Sequence, residues 1–395
     1  MPSGSEIARI TAFFSRVIYG VRTTTATQFV GSDRIRLLVD SFADASFTNA
    51  QMSNAREIVA RLDPCRFQVT MFCVGTPDAR IAQRPATRLI CLPARHQTGR
   101  ILREFLTGAH DVVFYLKASP AAKWYMRLRS RVRPHDMTLG TIESQSDLHH
   151  EPTVSRAAIR LWAQTVLRCD HLVSNSSSVQ GSLSREYGFD SEVIPTGVDC
   201  QFFCPASFRD SNSRVRVLFV GSLRPFKGPH VVLDAAARFP AADFILVGDG
   251  VLAAELKRRV ARERLANVQI LGALDAEGVR RQYRRADIFL FPSRWEGSPK
   301  VILEAAACAL PVVAFNDYEP ETVVDEKTGF LLSHPEQMFE RLAALVRNPE
   351  QSRTMGLAGR KHAESFDWKL IVPRWQKLFE RVLPGRRGRG HARAA

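Results

Sequence analysis

The stretch Ile288 to Phe315, IFLFPSRWEGSPKVILEAAACALPVVAF, constrains the fold more than any other part of the chain. Ile288 to Ser293 is a short apolar run, too continuous for a strand with one wet face, and it predicts a strand buried on both sides. The polar loop Arg294-Trp295-Glu296-Gly297 follows. Ser298 has the chemistry of an N-cap, and Pro299 suits the first helical position because its missing N–H would have no intrahelical partner there. A helix is expected to run from this point to about Ala309, stopped by Leu310-Pro311 ahead of a second apolar strand, Val312 to Phe315. After Lys300 that helix carries a single charge, Glu304, so most of it must be buried.

A carboxylate inside such a helix costs on the order of several kcal/mol unless something pairs or hydrogen-bonds it. The partner is either structural, an arginine or backbone N–H groups, or it is a ligand. Two neighbours favour the ligand. Gly297 to Lys300 presents unsatisfied backbone N–H groups at a helix start, a seat for phosphate. Glu296, eight positions before Glu304, adds a second carboxylate. One stretch thus offers an anion seat flanked by two acceptors for hydroxyl groups, the parts needed to hold a nucleoside diphosphate sugar.

These residues resemble the E-x7-E segment of the family 4 retaining glycosyltransferases. Their α/β fold is GT-B, two Rossmann-like, doubly wound parallel-sheet domains facing a cleft. The resemblance implies that Glu304 holds the nucleotide ribose and that Glu296 orients the donor sugar. It seats the diphosphate on the amides near Ser298 to Val301, with Gly297, Ser298, Pro299, Lys300 and Val301 expected as donor-binding residues. It extends more loosely from about Ser174 to about Leu378, covering the second half of the chain well and the first half poorly.

With 395 residues the chain is long enough for two or three domains. A formal charge of +15 implies anionic partners, whether nucleotide phosphates, acidic lipid headgroups or nucleic acid. For nucleic acid there is no zinc-finger, RNP or helix-turn-helix signature. No run approaches the roughly 18 uncharged apolar residues of a spanning helix, and no secretory signal is evident, so a cytoplasmic protein is expected. The seven cysteines form no C-x-x-C pair and read as free thiols; no metal site is expected.

Ile7, Ile10, Phe14, Val17, Ile18 and Val21 form one helical stripe with Arg9 and Arg16 opposite. Such a helix either packs on the domain or lies in a membrane interface. Strands are expected at Arg34–Asp40, Phe67–Val74, Asp111–Leu116 and Met137–Ile142, alternating with helices. The family's Gly-Gly loop after the first strand is absent here, replaced by SFADASFTNAQ. Lys123, Arg127, Arg129, Arg131 and Arg133 surround Trp124 and Tyr125, a solvated face or a contact for acidic lipid heads. By resemblance a histidine after the Met137–Ile142 strand touches the donor sugar; Glu143 stands nearest that place, with His149 or His150 as alternatives.

From Val215 the strand–helix alternation is regular and implies a parallel sheet whose ligands sit beyond the carboxyl ends of the strands. Gly221 to Gly228, GSLRPFKG, carries Arg224 and Lys227, cations able to neutralise a diphosphate without a metal. It resembles the family's G-R-L-x-x-x-K-G, with Ser222 in the arginine's place and Arg224 two residues on to supply the charge. Gly248-Asp249-Gly250 does not complete a dinucleotide fingerprint, and the loop from Gly272 lies where the family grips the nucleobase. Trp368, Ile371, Trp375 and Leu378 form a packing stripe, on a helix that in the family crosses back to the first domain. The chain is accordingly divided into an amphipathic extension (1–30), an acceptor-side domain (31–206), a nucleotide-sugar domain (207–366), the returning helix (367–383) and a basic tail (384–395).

The resulting expectation is a metal-independent, retaining glycosyltransferase with no cofactor. Glu296, Lys227 and Arg224 carry catalysis, and a glycan or lipid-linked acceptor is met at an anionic membrane surface. The alternatives are a sugar-nucleotide epimerase or phosphorylase on the same fold, and a non-catalytic relative binding membrane or nucleic acid through its charge.

Overall fold

The computed structural model describes residues 34–46, 49–144, 154–206 and 214–383. The chain divides into Met1–Arg34 and Ile35–Ala395, and the architecture below belongs to the second unit. The expected helix at Ile7–Val21, His149 and His150, residues 207–213 at the expected domain boundary and the basic tail lie outside the described residues.

Seven strands build the first sheet: β1 (Ile35–Phe42), β2 (Phe67–Cys73), β3 (Thr87–Cys91), β4 (Val112–Phe114), β5 (Met137–Ile142), β6 (His171–Ser174) and β7 (Glu192–Val193). Six build the second: β8 (Arg216–Val220), β9 (Asp243–Val247), β10 (Val268–Gly272), β11 (Ile288–Phe291), β12 (Val312–Phe315) and β13 (Gly329–Leu332). The orders are β3-β2-β1-β4-β5-β6-β7 and β10-β9-β8-β11-β12-β13, and the strand pairings are parallel. Parallel sheets need both faces covered, and every residue of β11 and β12 is buried. Sheet growth reverses direction between β1 and β4 and again between β8 and β11. Loops leaving the strands at such a reversal part company and open a crevice beyond the carboxyl ends, so the topology sets one crevice in each sheet.

The alternation read from the sequence passes over β3 and the Thr98–Thr107 helix. β3 is an edge strand of mixed exposure, so its sequence lacks the apolar continuity of the inner strands. The Trp368–Arg381 helix packs on the first sheet: the ring centroids of Phe114 lie 5.0 Å from Trp375 and 4.9 Å from Phe379. Trp368 fills the space above Gly197, where any Cβ would collide with the indole. No helix among the described residues is long and apolar enough to cross a membrane.

The expected basic surface on the Pro120–Val132 helix is partly committed to structure. Tyr125 is buried and its hydroxyl donates to Asp136 at 3.1 Å. Arg129 donates to Asp170 at 2.6 Å and Arg133 pairs with Asp136 at 2.8 Å. Arg127 and Arg131 are exposed.

Candidate active site

The second crevice is lined by the loops that follow β8 and β11. The loop after β8 closes in a 3-10 turn, Pro225–Lys227, and Gly228 leaves it with φ of 64°. Glycine is required there for that backbone and because a Cβ would overlap the carbonyl oxygen of Pro292. The close approach sets Lys227 against the loop after β11. Its Nζ is ion-paired with Glu296 and lies 5.5 Å from the Phe291 ring centroid. Glu296 is 8% exposed and also accepts a hydrogen bond from the buried Ser293 hydroxyl at 2.5 Å. Nearby, the buried Tyr318 hydroxyl has no hydrogen-bond partner among the described residues, and burial, reinforced by the charges of Glu296 and Asp317, pushes it well above the usual phenol range.

The helix expected from Pro299 spans Lys300–Ala307, with Pro299 as its N-cap. The expectation for Ser298 is therefore corrected. Standing one residue before the cap, its side chain makes no capping bond, and its oxygen is buried without a partner among the described residues. At the other end, Ala309 takes φ of 58° and stops the helix two residues earlier than expected.

Glu304 is 8% exposed. Tyr283 donates its hydroxyl to Glu304 Oε2 at 3.2 Å and lies 3.1 Å from the carbonyl oxygen of Val301, and Lys300 Nζ stands 4.0 Å from Glu304 Oε1. Burial pushes this carboxyl up to about 7, the positive charge of Lys300 and the Tyr283 bond hold it back, and the charge of Glu57 adds to the rise. The structural partner weighed for Glu304 is thus a tyrosine and a distant lysine, which leave the carboxylate undercompensated.

The other named residues take these places. Ser222 is half-buried, while Arg224 is exposed beside the turn. Gly272 ends β10 with φ of 76°, and its carbonyl accepts from Gly248 N at 2.8 Å. Gly297 forms an isolated antiparallel bridge with Ser144, which brings the chain leaving β5 directly onto the loop after β11. A Cβ on Gly297 would overlap Asn175 Oδ1 and the Glu143 carbonyl oxygen.

Glu143 itself is held by the first domain. Its carboxylate accepts from the Tyr115 hydroxyl and from Asn54 Nδ2 at 3.1 Å, and Asn175 Nδ2 donates to its carbonyl at 2.6 Å. A second connection crosses the crevice where Lys300 Nζ donates to Ser53 Oγ at 2.9 Å.

Several of these groups carry no sequence motif. Tyr283 is the lone aromatic in the basic helix AEGVRRQYRR, a signal that could have marked it. Ser53, Asn54, Asn175 and Tyr318 offered none. At the first crevice, Lys117 lies before the helix rather than on it, and its backbone N–H donates to the buried Asp40 at 2.9 Å. Burial pushes Asp40 up to about 6 against that bond and the charge of Lys117.

Residues 206–362 match the family model described as glycosyl transferases group 1, and residues 54–202 match the one described as Glycosyltransferase Family 4. A D-inositol 3-phosphate glycosyltransferase of Segniliparus rotundus is 33% identical over 249 residues, 56% of this chain and 54% of the relative. A GDP-mannose-dependent monoacylated alpha-(1-6)-phosphatidylinositol monomannoside mannosyltransferase of Corynebacterium glutamicum is 32% identical over 214 residues, 48% and 56% of the two chains. The chain spans about half the length of the curated relatives it matches.

Among solved structures, the sucrose-phosphate synthase of Thermosynechococcus elongatus superposes with a TM-score of 0.76 at 20% identity, covering 88% of this chain and 99% of that one. Anabaena HepE in complex with UDP-glucose gives 0.70 at 17%, covering 88% and 100%. At such identities the likeness establishes the fold, which is GT-B. Two facing Rossmann-type sheets, a carboxylate and lysine at the second switch point, and two family models that between them take in most of the described residues lead to one assignment: the chain belongs to the group 1 glycosyl transferases, of the family 4 type.

Proposed function

We propose that the protein is a retaining, metal-independent glycosyltransferase that moves a sugar from a nucleoside diphosphate to an acceptor hydroxyl, in the synthesis of a cell-surface polysaccharide or glycolipid. The observation that carries the proposal is the pairing of Lys227 with Glu296 at the β8/β11 switch point, beside a helix start where the buried Ser298 hydroxyl lacks a partner among the described residues. A cation and an acceptor carboxylate held together beside open backbone donors fit a ligand that has a diphosphate at one end and sugar hydroxyls at the other. Relatives and neighbours named for GDP-mannose and UDP-glucose support a donor of this class.

In the reaction the bond from the anomeric carbon to the diphosphate oxygen breaks, and the diphosphate keeps the electron pair. The acceptor oxygen bonds to the same face of the sugar, and its proton passes to the departing phosphate oxygen. The transition state resembles an oxocarbenium ion leaving a diphosphate. Lys227, Arg224 and the N–H groups at the start of the Lys300–Ala307 helix stabilise the charge that develops on the leaving group. These fixed positive groups are the reason for proposing that no metal is needed. Glu296 orients the sugar, and Glu304 accepts from the ribose hydroxyls.

The excess of basic residues, with Arg127 and Arg131 exposed, supports a lipid-linked glycan acceptor met at an anionic, cytosolic membrane face. The test is a panel of UDP and GDP sugars followed for release of free nucleotide, with and without EDTA and membrane extract. Release from one donor, indifferent to EDTA and stimulated by extract, is expected. No release and no calorimetric binding across the panel would refute the proposal.

A further inference from the structure

The first sheet carries a pair of thiols that the transfer reaction does not use. Cys73 is the last residue of β2 and Cys91 the last of β3, and the two are register partners in adjacent parallel strands. Their Sγ atoms are 3.1 Å apart. A disulfide bond is about 2.05 Å long and tolerates Cα separations of about 4.4–6.8 Å, a range that includes the spacing of about 4.8 Å between neighbouring strands. Closing the pair therefore calls for a movement of about 1 Å, and β3, as the edge strand, has no further strand on its far side among the described residues to resist it.

The two thiols are unequally placed. Cys91 is exposed, whereas Cys73 is 1% exposed. Burial pushes the Cys73 thiol up to about 12, and the neighbouring Cys91 and the charge of Asp44 add to the rise. Cys73 thus stays protonated inside the sheet, and an oxidant reaches Cys91 first.

We propose that Cys73 and Cys91 form an oxidisable dithiol that closes to a disulfide between β2 and β3 when the protein meets a peroxide or a disulfide oxidant. With hydrogen peroxide, the Cys91 thiolate attacks the O–O bond, giving a sulfenic acid and releasing hydroxide. The Cys73 sulfur then displaces the sulfenic oxygen, and its proton leaves with that oxygen as water. Two thiols are oxidised by two electrons, and one peroxide becomes two waters. With glutathione disulfide, Cys91 is first capped by one glutathione, and Cys73 expels it as a thiol. The link would tie the edge strand to the end of β2, next to Val74 and Gly75, whose N–H groups are held by Asp44 from the loop after β1.

Trypsin separates the two cysteines, placing Cys73 in Phe67–Arg80 and Cys91 in Leu89–Arg95, while the exposed Cys65 falls in Leu62–Arg66. The full-length protein is treated with dilute hydrogen peroxide, or with glutathione disulfide, then alkylated and digested without reduction. The expected product is Phe67–Arg80 joined to Leu89–Arg95, lighter by two hydrogens than the sum of the free peptides, with loss of two of the seven thiols and full recovery in dithiothreitol. Cys73→Ala is expected to leave Cys91 as a persistent glutathione adduct, and Cys91→Ser to protect Cys73 from both oxidants. Capture of Cys91 as a sulfinic acid or a lasting glutathione adduct in the unmutated protein, with Cys73 still alkylatable after denaturation, would overturn the proposal. Linkage of Cys65 in place of either residue would overturn it as well.

Discussion

Replacing Glu304 with glutamine changes how stability depends on pH, and the size of the change follows from the burial of that side chain. The folded carboxyl titrates at about 7, against 4.5 for a free glutamate. Between those values the unfolded chain has released the proton and the folded chain still holds it. The folded state therefore binds more protons in that window, and stability falls as pH rises. The contribution is fully present below pH 4.5 and is lost by about pH 7. At about 1.4 kcal/mol per pH unit the loss comes to about 3 kcal/mol. Glutamine keeps the shape and an oxygen to accept from Tyr283 but has no proton to release.

Asp40 also titrates high, at about 6, so the wild-type profile alone mixes two groups, and the difference between Glu304→Gln and wild type isolates one. Thermal midpoints followed by intrinsic fluorescence from pH 4.5 to 8 are the assay. At about 2–4 °C per kcal/mol for a domain of this size, the variant should gain about 6–12 °C relative to wild type across the window. Donor binding gives the opposite reading. If Glu304 binds the ribose as proposed, the ionised carboxylate accepts more from its hydroxyls than the protonated one does, so wild-type affinity should weaken below pH 7 and the variant should be weak and flat. A midpoint difference that does not change with pH would refute the placement of Glu304 as an undercompensated buried carboxylate.

Lys227→Met removes the cation proposed to face the leaving group, and donor turnover should fall about 10²–10³-fold in steady-state release of nucleotide, with the fold retained by circular dichroism. Glu296→Gln should bind nucleoside diphosphate more tightly than wild type by calorimetry, because Lys227 is freed from its pair, while turnover of the intact donor falls. Gly297→Ala forces a methyl group against Asn175 and the Glu143 carbonyl; overpacking of this kind costs about 1–3 kcal/mol, read as a lower thermal midpoint together with slower turnover. Trp375→Ala empties a site that is 3% exposed between the last helix and the first sheet. It should cost about 3–5 kcal/mol in urea denaturation and leave donor affinity near wild type at temperatures where the variant is folded.

The second domain was far more legible in the sequence than the first. Its site is assembled from two short segments whose local chemistry is visible without tertiary information, a glycine-bracketed turn with Lys227 and a strand–loop–helix with Glu296 and Glu304. The boundary errors there arise where local rules compete. Serine and proline both suit a helix start, and the chain took the proline as cap. The crevice of the first domain is made of pairs far apart in the sequence, such as Asn54 with Glu143 and Asp40 with Lys117, 89 and 77 positions apart. No periodicity reports such pairs. Tyr115 shows why: it reads as one more apolar residue of the expected Asp111–Leu116 strand, yet it lies just past the end of β4 and turns with φ of 59° to set its hydroxyl on Glu143.

Lys300 joins the two kinds of information. A lysine in the first turn of a helix stands against the positive end of the helix dipole, where a cation is disfavoured by roughly 0.3–1 kcal/mol. The sequence alone gives no reason for it. In the folded chain its Nζ turns across the crevice to Ser53, and its charge helps hold Glu57 down to about 2 after the stronger effect of Arg80. On its own helix it faces Glu304 and lowers the cost of burying that carboxylate. One side chain thus draws on carboxylates from both domains, and its unfavourable position on the helix is offset by Glu304 on the same helix and by Glu57 across the crevice.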